Sequence, residues 1–276
     1  MTKRKRGVKK YKRNGFVDKS YSSAILSTVW MKSEEAMGYQ VLCLSGAGLS
    51  AESGIRTFRD SGGLWEEFDI MEVCSAEGFR RDRQKVLEFY DRRRADLADK
   101  VPNCAHEEIA RIKKAYPHEI AVVTQNVDDL LERAGCPEVI HLHGTLRDLR
   151  CEDCNTVWDI GYESIRGKRC PRCASAQVRH NVVMFHEEAP AYRLLYRLID
   201  ETRDGLFVAI GTSGQVIDVA GIACCFTYSI LNNLHPNTAI DPFFSLVFHE
   251  KATTAVPKIM TYVARYMETG RLLCGE

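Results

Sequence analysis

The feature that most constrains this chain is a strand that runs straight into a glycine turn. Gln40 to Ser45 is a short apolar run with the pattern of a buried strand. It passes into Gly46-Ala47-Gly48-Leu49-Ser50-Ala51, which fits the pattern G-x-G-x-x-G/A. There the first glycine permits a tight turn, the second a close backbone approach, and a small third residue lets the following helix pack on the strand. Exposed N–H groups and the helix dipole would then favour a pyrophosphate. The pattern alone is shared between structural turns and nucleotide sites. Its continuation is less usual: Ser53-Gly54 cuts the helix short, and a polar run from Ile55 to Asp60 with Gly62-Gly63 reads as a mobile cover over a ligand.

Further apolar strands repeat the arrangement. Glu119 to Thr124 is rich in β-branched residues and delivers Gln125-Asn126-Val127-Asp128 at its end. Glu138-Val139-Ile140 leads into His141-Leu142-His143-Gly144, and Leu206 to Ile210 ends in Gly211-Thr212-Ser213-Gly214. Strands that each end in a small or polar cluster predict an α/β fold, a doubly wound parallel sheet with one ligand crevice. Apolar spacing predicts helices over 20–37, 76–97 and 104–116. Of the two histidines, one is expected to face the sheet and the other the crevice, which makes one of them a candidate general base.

With 276 residues the chain can form one large domain, or a large and a small one. No apolar run approaches membrane-spanning length, and no secretory signal is visible. The net charge of +1 hides an uneven spread: residues 1–13 carry eight Lys or Arg and no acid, which leaves about −7 on the remainder. That tail reads either as a solvated, disordered extension or as a nuclear address or nucleic-acid contact. Eleven cysteines without a secretion signal argue for a reducing compartment, the cytoplasm first, with nucleus or mitochondrion as alternatives. Four of them, Cys151-x-x-Cys154 and Cys170-x-x-Cys173, are separated by fifteen residues and fit a zinc ribbon. Four thiolates close a tetrahedral shell, so one structural zinc is expected. Lys168, Arg169 and Arg172 would offset the thiolate charge. The other seven cysteines are expected to be small buried hydrophobes.

Gly46–Asp60, TQNVDDL (124–130), HLHG (141–144), the double cysteine pair and GTSGQV (211–216) resemble, in order and spacing, the signature of the sirtuins. These are NAD-dependent protein deacylases, and the resemblance covers roughly residues 38 to 265. It implies a Rossmann-like large domain (20–56, 102–146 and 186–276) and a small domain of a helical and a zinc module (57–101 and 147–185), after a basic tail (1–19). It implies NAD and an acyl-lysine protein or peptide meeting in the cleft between them. A monomer with no membrane partner is expected. By the same resemblance His143 is the general base, with Asn126 beside it. NAD would be held by Gly46, Ala47, Gly48, Ser50, Glu52 and Thr57, and by Phe58, Arg59 and Trp65. Gln125, Asn126 and Asp128 would serve the ribose and carboxamide, Gly211, Thr212 and Ser213 the phosphate and ribose, and Asn233 and Ala252 the adenosine. Tyr90, Arg93, Val183 and Phe185 would hold the substrate. The implied chemistry suits these residue types: the acyl oxygen attacks the ribose carbon as nicotinamide leaves, and a neutral imidazole takes a ribose hydroxyl proton.

Tyr90 and Arg93 are three apart and share a helix face. Burying that arginine without an anionic partner is unfavourable. Tyr-x-x-Arg at this place is similar to the sirtuin class that removes succinyl, malonyl or glutaryl groups in preference to acetyl, and Arg56, where many sirtuins have Pro, fits bacterial members of it. Three positions depart from the family pattern: His186 stands where Gly is usual, His235 where Glu is usual, and Asp218 where Pro is usual. The segment 226–252 matches least. Two other functions remain open on these residues: ADP-ribosyl transfer or NAD hydrolysis on the same fold, and an inactive zinc-ribbon protein associated with nucleic acid.

Overall fold

The computed structural model describes residues 38–57 and 69–273. The basic tail, the helix expected over 20–37, most of the expected cover, Phe58, Arg59, Trp65 and Cys274 lie outside them.

Strand β1 (Val41–Ser45) is buried throughout, as its apolar run requires. The expected helix does not follow it. Ala47–Leu49 and Ala51–Ser53 are single 3-10 turns, and Gly54 closes the second at φ 78°. With a Ser-Gly stop so near, too few residues remain to propagate a helix. Next come α1 (Ile70–Val73), α2 (Ala76–Arg81) and α3 (Arg83–Leu97). The single helix expected over 76–97 is therefore two. Asp82 leaves helical geometry at φ −145°, and its carboxylate accepts the Lys85 N–H at 3.0 Å, capping the new helix. Helix α4 (Cys104–Ala115) starts at a reciprocal cap. Asn103 Oδ1 accepts N–H groups of Ala105 and His106, while His106 Nδ1 accepts the Asn103 N–H.

There follow β2 (Ile120–Thr124), α5 (Leu130–Arg133), β3 (Val139–His141), β4 (Gly144–Cys151), β5 (Val157–Asp159) and β6 (Val178–Val182). The chain closes with α6 (Tyr192–Thr202), β7 (Leu206–Ile210), α7 (Val219–Ala223), β8 (Tyr228–Asn233), β9 (Leu246–His249) and α8 (Ala252–Thr269). β8 and β9 build the segment whose resemblance was weakest.

Six strands form a parallel sheet in the order β3-β2-β1-β7-β8-β9. Val41 and Cys43 of β1 join one core with Ile109 of α4 and Val256 and Ile259 of α8. Leu42 and Leu44 join the other with Leu195 and Leu198 of α6 and Ile222 of α7. Both faces are covered, so the strands read as continuous apolar runs rather than as alternation. The chain winds outward from β1 to β3 and resumes at β7 on the other side of β1. The ends of β1 and β7 thus form the switch point where such sheets bind ligands.

A smaller antiparallel sheet, β5-β4-β6, stands beside α1 to α3. Phe79, Val86, Phe89, Tyr90, Leu146 and Met184 are buried between them. Arg94 locks this unit. Its side chain is fully buried, its Nε donates to the Leu146 carbonyl, and its Nη atoms donate to the carbonyls of Glu163 (3.2 Å) and Asp148 (3.1 Å). Burial lowers its pKa to about 10, so it stays charged at neutral pH. The clamp fixes α3 against β4.

Of the cysteines expected inside, Cys43, Cys74 and Cys136 are buried, but Cys104, Cys224 and Cys225 are exposed. These three sit at helix ends, where the chain turns outward. Among the described residues no helix is long and apolar enough to cross a membrane.

Candidate active site

The loops leaving β1 and β7 pack backbone against backbone. A Cβ on Gly48 would lie 2.7 Å from Gly211 Cα, and one on Gly46 would lie 2.8 Å from the Gly211 carbonyl oxygen. Gly211 itself takes φ 61°. Side chains are therefore excluded from both sides of the seam. Above it opens a cleft of about 1000 Å³. Gly46, Ala47, Gly48, Ser50, Thr57, Gln125, Asn126, Asp128, His143, Gly211, Thr212, Ser213 and Asn233 all line it, as do Tyr90, Arg93, Val183 and Phe185. Among the described residues, two of the expected ones do not. The Glu52 carboxylate turns away to accept the N–H and hydroxyl of Thr253 at 3.0 and 2.6 Å, and Ala252 is buried in the core at the start of α8. A side-chain-free floor between two strand ends, wide enough for a dinucleotide, fits NAD.

The floor carries a buried polar network centred on Ser50. Its hydroxyl donates to Asp128 Oδ2 at 2.9 Å and accepts from Asn126 Nδ2 at 3.1 Å. His106 Nε2 lies 3.2 Å from the same oxygen. Because Nδ1 of His106 accepts the Asn103 N–H, Nε2 must carry the proton and donate to Ser50. Burial pushes the His106 pKa down to about 4, so this neutral form persists at working pH. Burial also raises the Asp128 pKa, against the hydrogen bonds from Leu130 N–H and Ser50. Gln125 Nε2 donates to the Thr212 hydroxyl at 2.9 Å and bridges the β2 and β7 ends.

The two histidines bond to neighbouring carbonyls. His141 Nδ1 donates to the Asn126 carbonyl (2.9 Å) and Nε2 to the Glu132 carboxylate (2.7 Å). Burial disfavours its charged form, but Glu132 and the Asn126 carbonyl outweigh that and raise its pKa. His143 Nδ1 donates to the Gln125 carbonyl (2.9 Å), which leaves the lone pair on Nε2, beside the Tyr192 hydroxyl at 2.9 Å. Burial lowers the His143 pKa, against the Gln125 carbonyl. An unbroken strand would put residues two apart on one face. The pair separates because β3 stops at His141 and the chain turns.

The opposite wall is the segment after β6. Val183 N–H donates to the His143 carbonyl at 2.9 Å, Phe185 N–H to the Cys74 carbonyl at 2.8 Å, and Ala76 N–H to the Phe185 carbonyl at 3.0 Å. The Glu187 carboxylate accepts the Met184 N–H (2.8 Å) and two Arg179 bonds (2.6 and 3.1 Å), which ties a tight turn. His186 at its apex takes φ 68°, a left-handed conformation that glycine would adopt without strain, and it lines the cleft. His235 also lines the cleft, whereas Asp218 caps α7 by accepting the Gly221 N–H at 2.9 Å.

The cysteine quartet gathers at one end of the small sheet, its sulfur atoms all within 4.8 Å of one another. Each pair sits in the same knuckle. Asn155 (φ 56°) donates its N–H to the Cys151 carbonyl at 3.0 Å, and Ala174 (φ 59°) does so to the Cys170 carbonyl at 2.9 Å. Four converging soft ligands in a closed shell fit one structural zinc.

The sequence alone does not point to His106, Tyr192 or Arg94. Only His106 had a local signal, its place three residues after the Asn103 cap.

Comparison with known proteins agrees with this geometry. The Sir2 family profile matches residues 46–218. The NAD-dependent protein deacylase of Campylobacter jejuni is 50% identical over 232 residues, covering 84% of this chain and 99% of its own. The corresponding protein of Helicobacter hepaticus is 39% identical, covering 80% and 95%. Among solved structures, a Sir2 homologue–NAD complex superposes with a TM-score of 0.70 at 31% identity, covering 84% of this chain and 93% of that one. A Sir2 homologue mutant in complex with ADP-ribose superposes at 0.73, also at 31% identity, covering 85% and 96%. On profile, identity and coverage alike, this chain belongs to the Sir2 family.

Proposed function

We propose that this protein is an NAD-dependent protein-lysine deacylase that prefers acidic acyl groups (succinyl, malonyl or glutaryl) over acetyl. The observation that carries the reaction type is the orientation of His143: Nδ1–H is committed to Gln125, so Nε2 is the basic atom, and it faces the cleft. NAD, when bound, supplies the electrophilic ribose carbon and the hydroxyls that receive the acyl group. Gly46, Gly48, Gly211 and Ser213 are suited to its phosphates and riboses, while Asn126, Asp128 and Gln125 are suited to the nicotinamide end. The buried network at Ser50 fixes Asn126 and Asp128 before binding, so little reorganisation is required. Val183 and Phe185, already hydrogen-bonded to the base segment and the start of α2, are suited to hold the acyl-lysine backbone, and Tyr90 and Arg93 its acyl end. This reading keeps the division into a large domain around the parallel sheet and a small domain around α1–α3 and the zinc module.

Incubation with NAD and matched acyl-peptides, with products weighed by mass spectrometry, tests the reading. Nicotinamide and O-acyl-ADP-ribose formed only with an acyl-peptide support it. Nicotinamide release without acyl-peptide, or ADP-ribose attached to protein, would favour the hydrolase or transferase alternative.

A further inference from the structure

We propose that Tyr192 is a positioning residue for the base: its hydroxyl caps Nε2 of His143 in the resting protein and yields the nitrogen to a ribose hydroxyl when the cleft fills. This rests on the deacylase reading above.

Nδ1 of His143 faces only a carbonyl, that of Gln125, so it must be the N–H. Nε2 therefore has the ring's one accessible lone pair, and the Tyr192 hydroxyl at 2.9 Å donates into it. Burial raises the Tyr192 pKa, which keeps the phenol protonated and able to donate. An sp² nitrogen accommodates one strong in-plane donor, and a base must come within about 2.6–3.2 Å of the proton it takes. The tyrosine and the ribose hydroxyl thus compete for one position. When the cap leaves, the Tyr192 O–H keeps its proton, and Nε2 becomes free to accept the proton of the ribose hydroxyl.

Tyr192 can leave. It is the first residue of α6, its side chain lines the cleft, and its ring stands 5.8 Å from the imidazole at 47°. Its ring rests on the edge of the core beneath α6, so phenylalanine would preserve that packing. Among the described residues the groups hydrogen-bonded to the His143 ring are the Gln125 carbonyl, from the exit of β2, and the Tyr192 hydroxyl, from α6. Among the described residues no charged side chain contributes to its shift. The hydroxyl donates to the neutral ring and can turn to accept from the imidazolium, so its removal changes the balance between the two forms.

The test is Tyr192→Phe in the full chain, with Tyr192→Met as a second variant that also lacks the hydroxyl. Proton NMR titration of His143 in the absence of NAD should show its pKa moving by about half to one unit, the worth of one hydrogen bond. With NAD and acyl-peptide above that pKa, kcat/KM should rise about two- to tenfold, because no cap need be displaced, and the acid limb should move with the His143 pKa. An unchanged His143 pKa in both variants overturns the cap. So does a tenfold fall in kcat/KM with that pKa unmoved, which would place the hydroxyl on substrate. If the pKa moves but the wild type shows no NAD-dependent deacylation, the cap stands and the deacylase reading fails.

Discussion

Replacing Arg93 by methionine should lower desuccinylation tenfold to a hundredfold and leave deacetylation nearly unchanged. Arg93 lines the cleft one helical turn from Tyr90, and its guanidinium lies 5.7 Å from the centre of the Phe89 ring. Tyr90 is only 2% exposed, so the acyl end would meet a largely dry wall. A guanidinium and a carboxylate at ~4 Å attract by about 4 kcal/mol at an effective dielectric of ~20. Arg93 is half-exposed, so water and salt reduce that bound. A charge-assisted hydrogen bond is worth about 1.5–3 kcal/mol net, which converts to roughly ten- to a hundredfold in kcat/KM. Methionine keeps most of the volume and removes the charge, so an acetyl group, which has no carboxylate, should be turned over as before. The assay compares kcat/KM for succinyl-, glutaryl- and acetyl-peptides of one sequence at saturating NAD. A double-mutant cycle with Tyr90→Phe should show coupling of about 0.5 kcal/mol or more for the acidic acyl groups only. Equal loss on all three peptides, or a wild type that prefers acetyl, would refute the reasoning.

His143→Ala should abolish deacylation with an unchanged melting curve; near-normal turnover would remove His143 as the base. Since the base must be neutral and burial lowers its pKa, the acid limb of the wild-type kcat/KM profile should have its midpoint below the ordinary histidine value of about 6.5. A midpoint above about pH 7 would contradict this. Cys151→Ser should reduce bound zinc from one per chain and lower the melting temperature, because metal-binding energy is folding energy in such a module; a wild type without zinc, or a fully stable variant, would be the contrary result. His186→Gly should stabilise the protein by about 0.5–1 kcal/mol in chemical denaturation, since it relieves a left-handed backbone at an exposed position; destabilisation would mean that the imidazole makes a contact the fold depends on.

Features that depend on spacing along the chain are legible in the residues alone. The apolar runs of β1, β2 and β7 had to be buried, and the small or polar residues that end them had to mark the crevice. The cysteine spacing placed four sulfurs around one point. Local signals failed where two solutions are close in energy. The run 76–97 is helical throughout by composition, yet Asp82 offers a cap that splits it. The glycine turn announces a helix, yet the chain makes two short 3-10 turns. Three consecutive arginines look alike in sequence, and packing alone gives them different places. Arg92 is exposed, Arg93 lines the cleft, and Arg94 is buried on three carbonyls of other elements. Packing also makes Ser50, His106, Asn126 and Asp128 one network and brings Tyr192 to His143. These partners lie far apart in sequence and come together only when the two sheets and their helices have packed. A side chain's protonation state and direction follow from those neighbours, and the order of residues along the chain does not contain them.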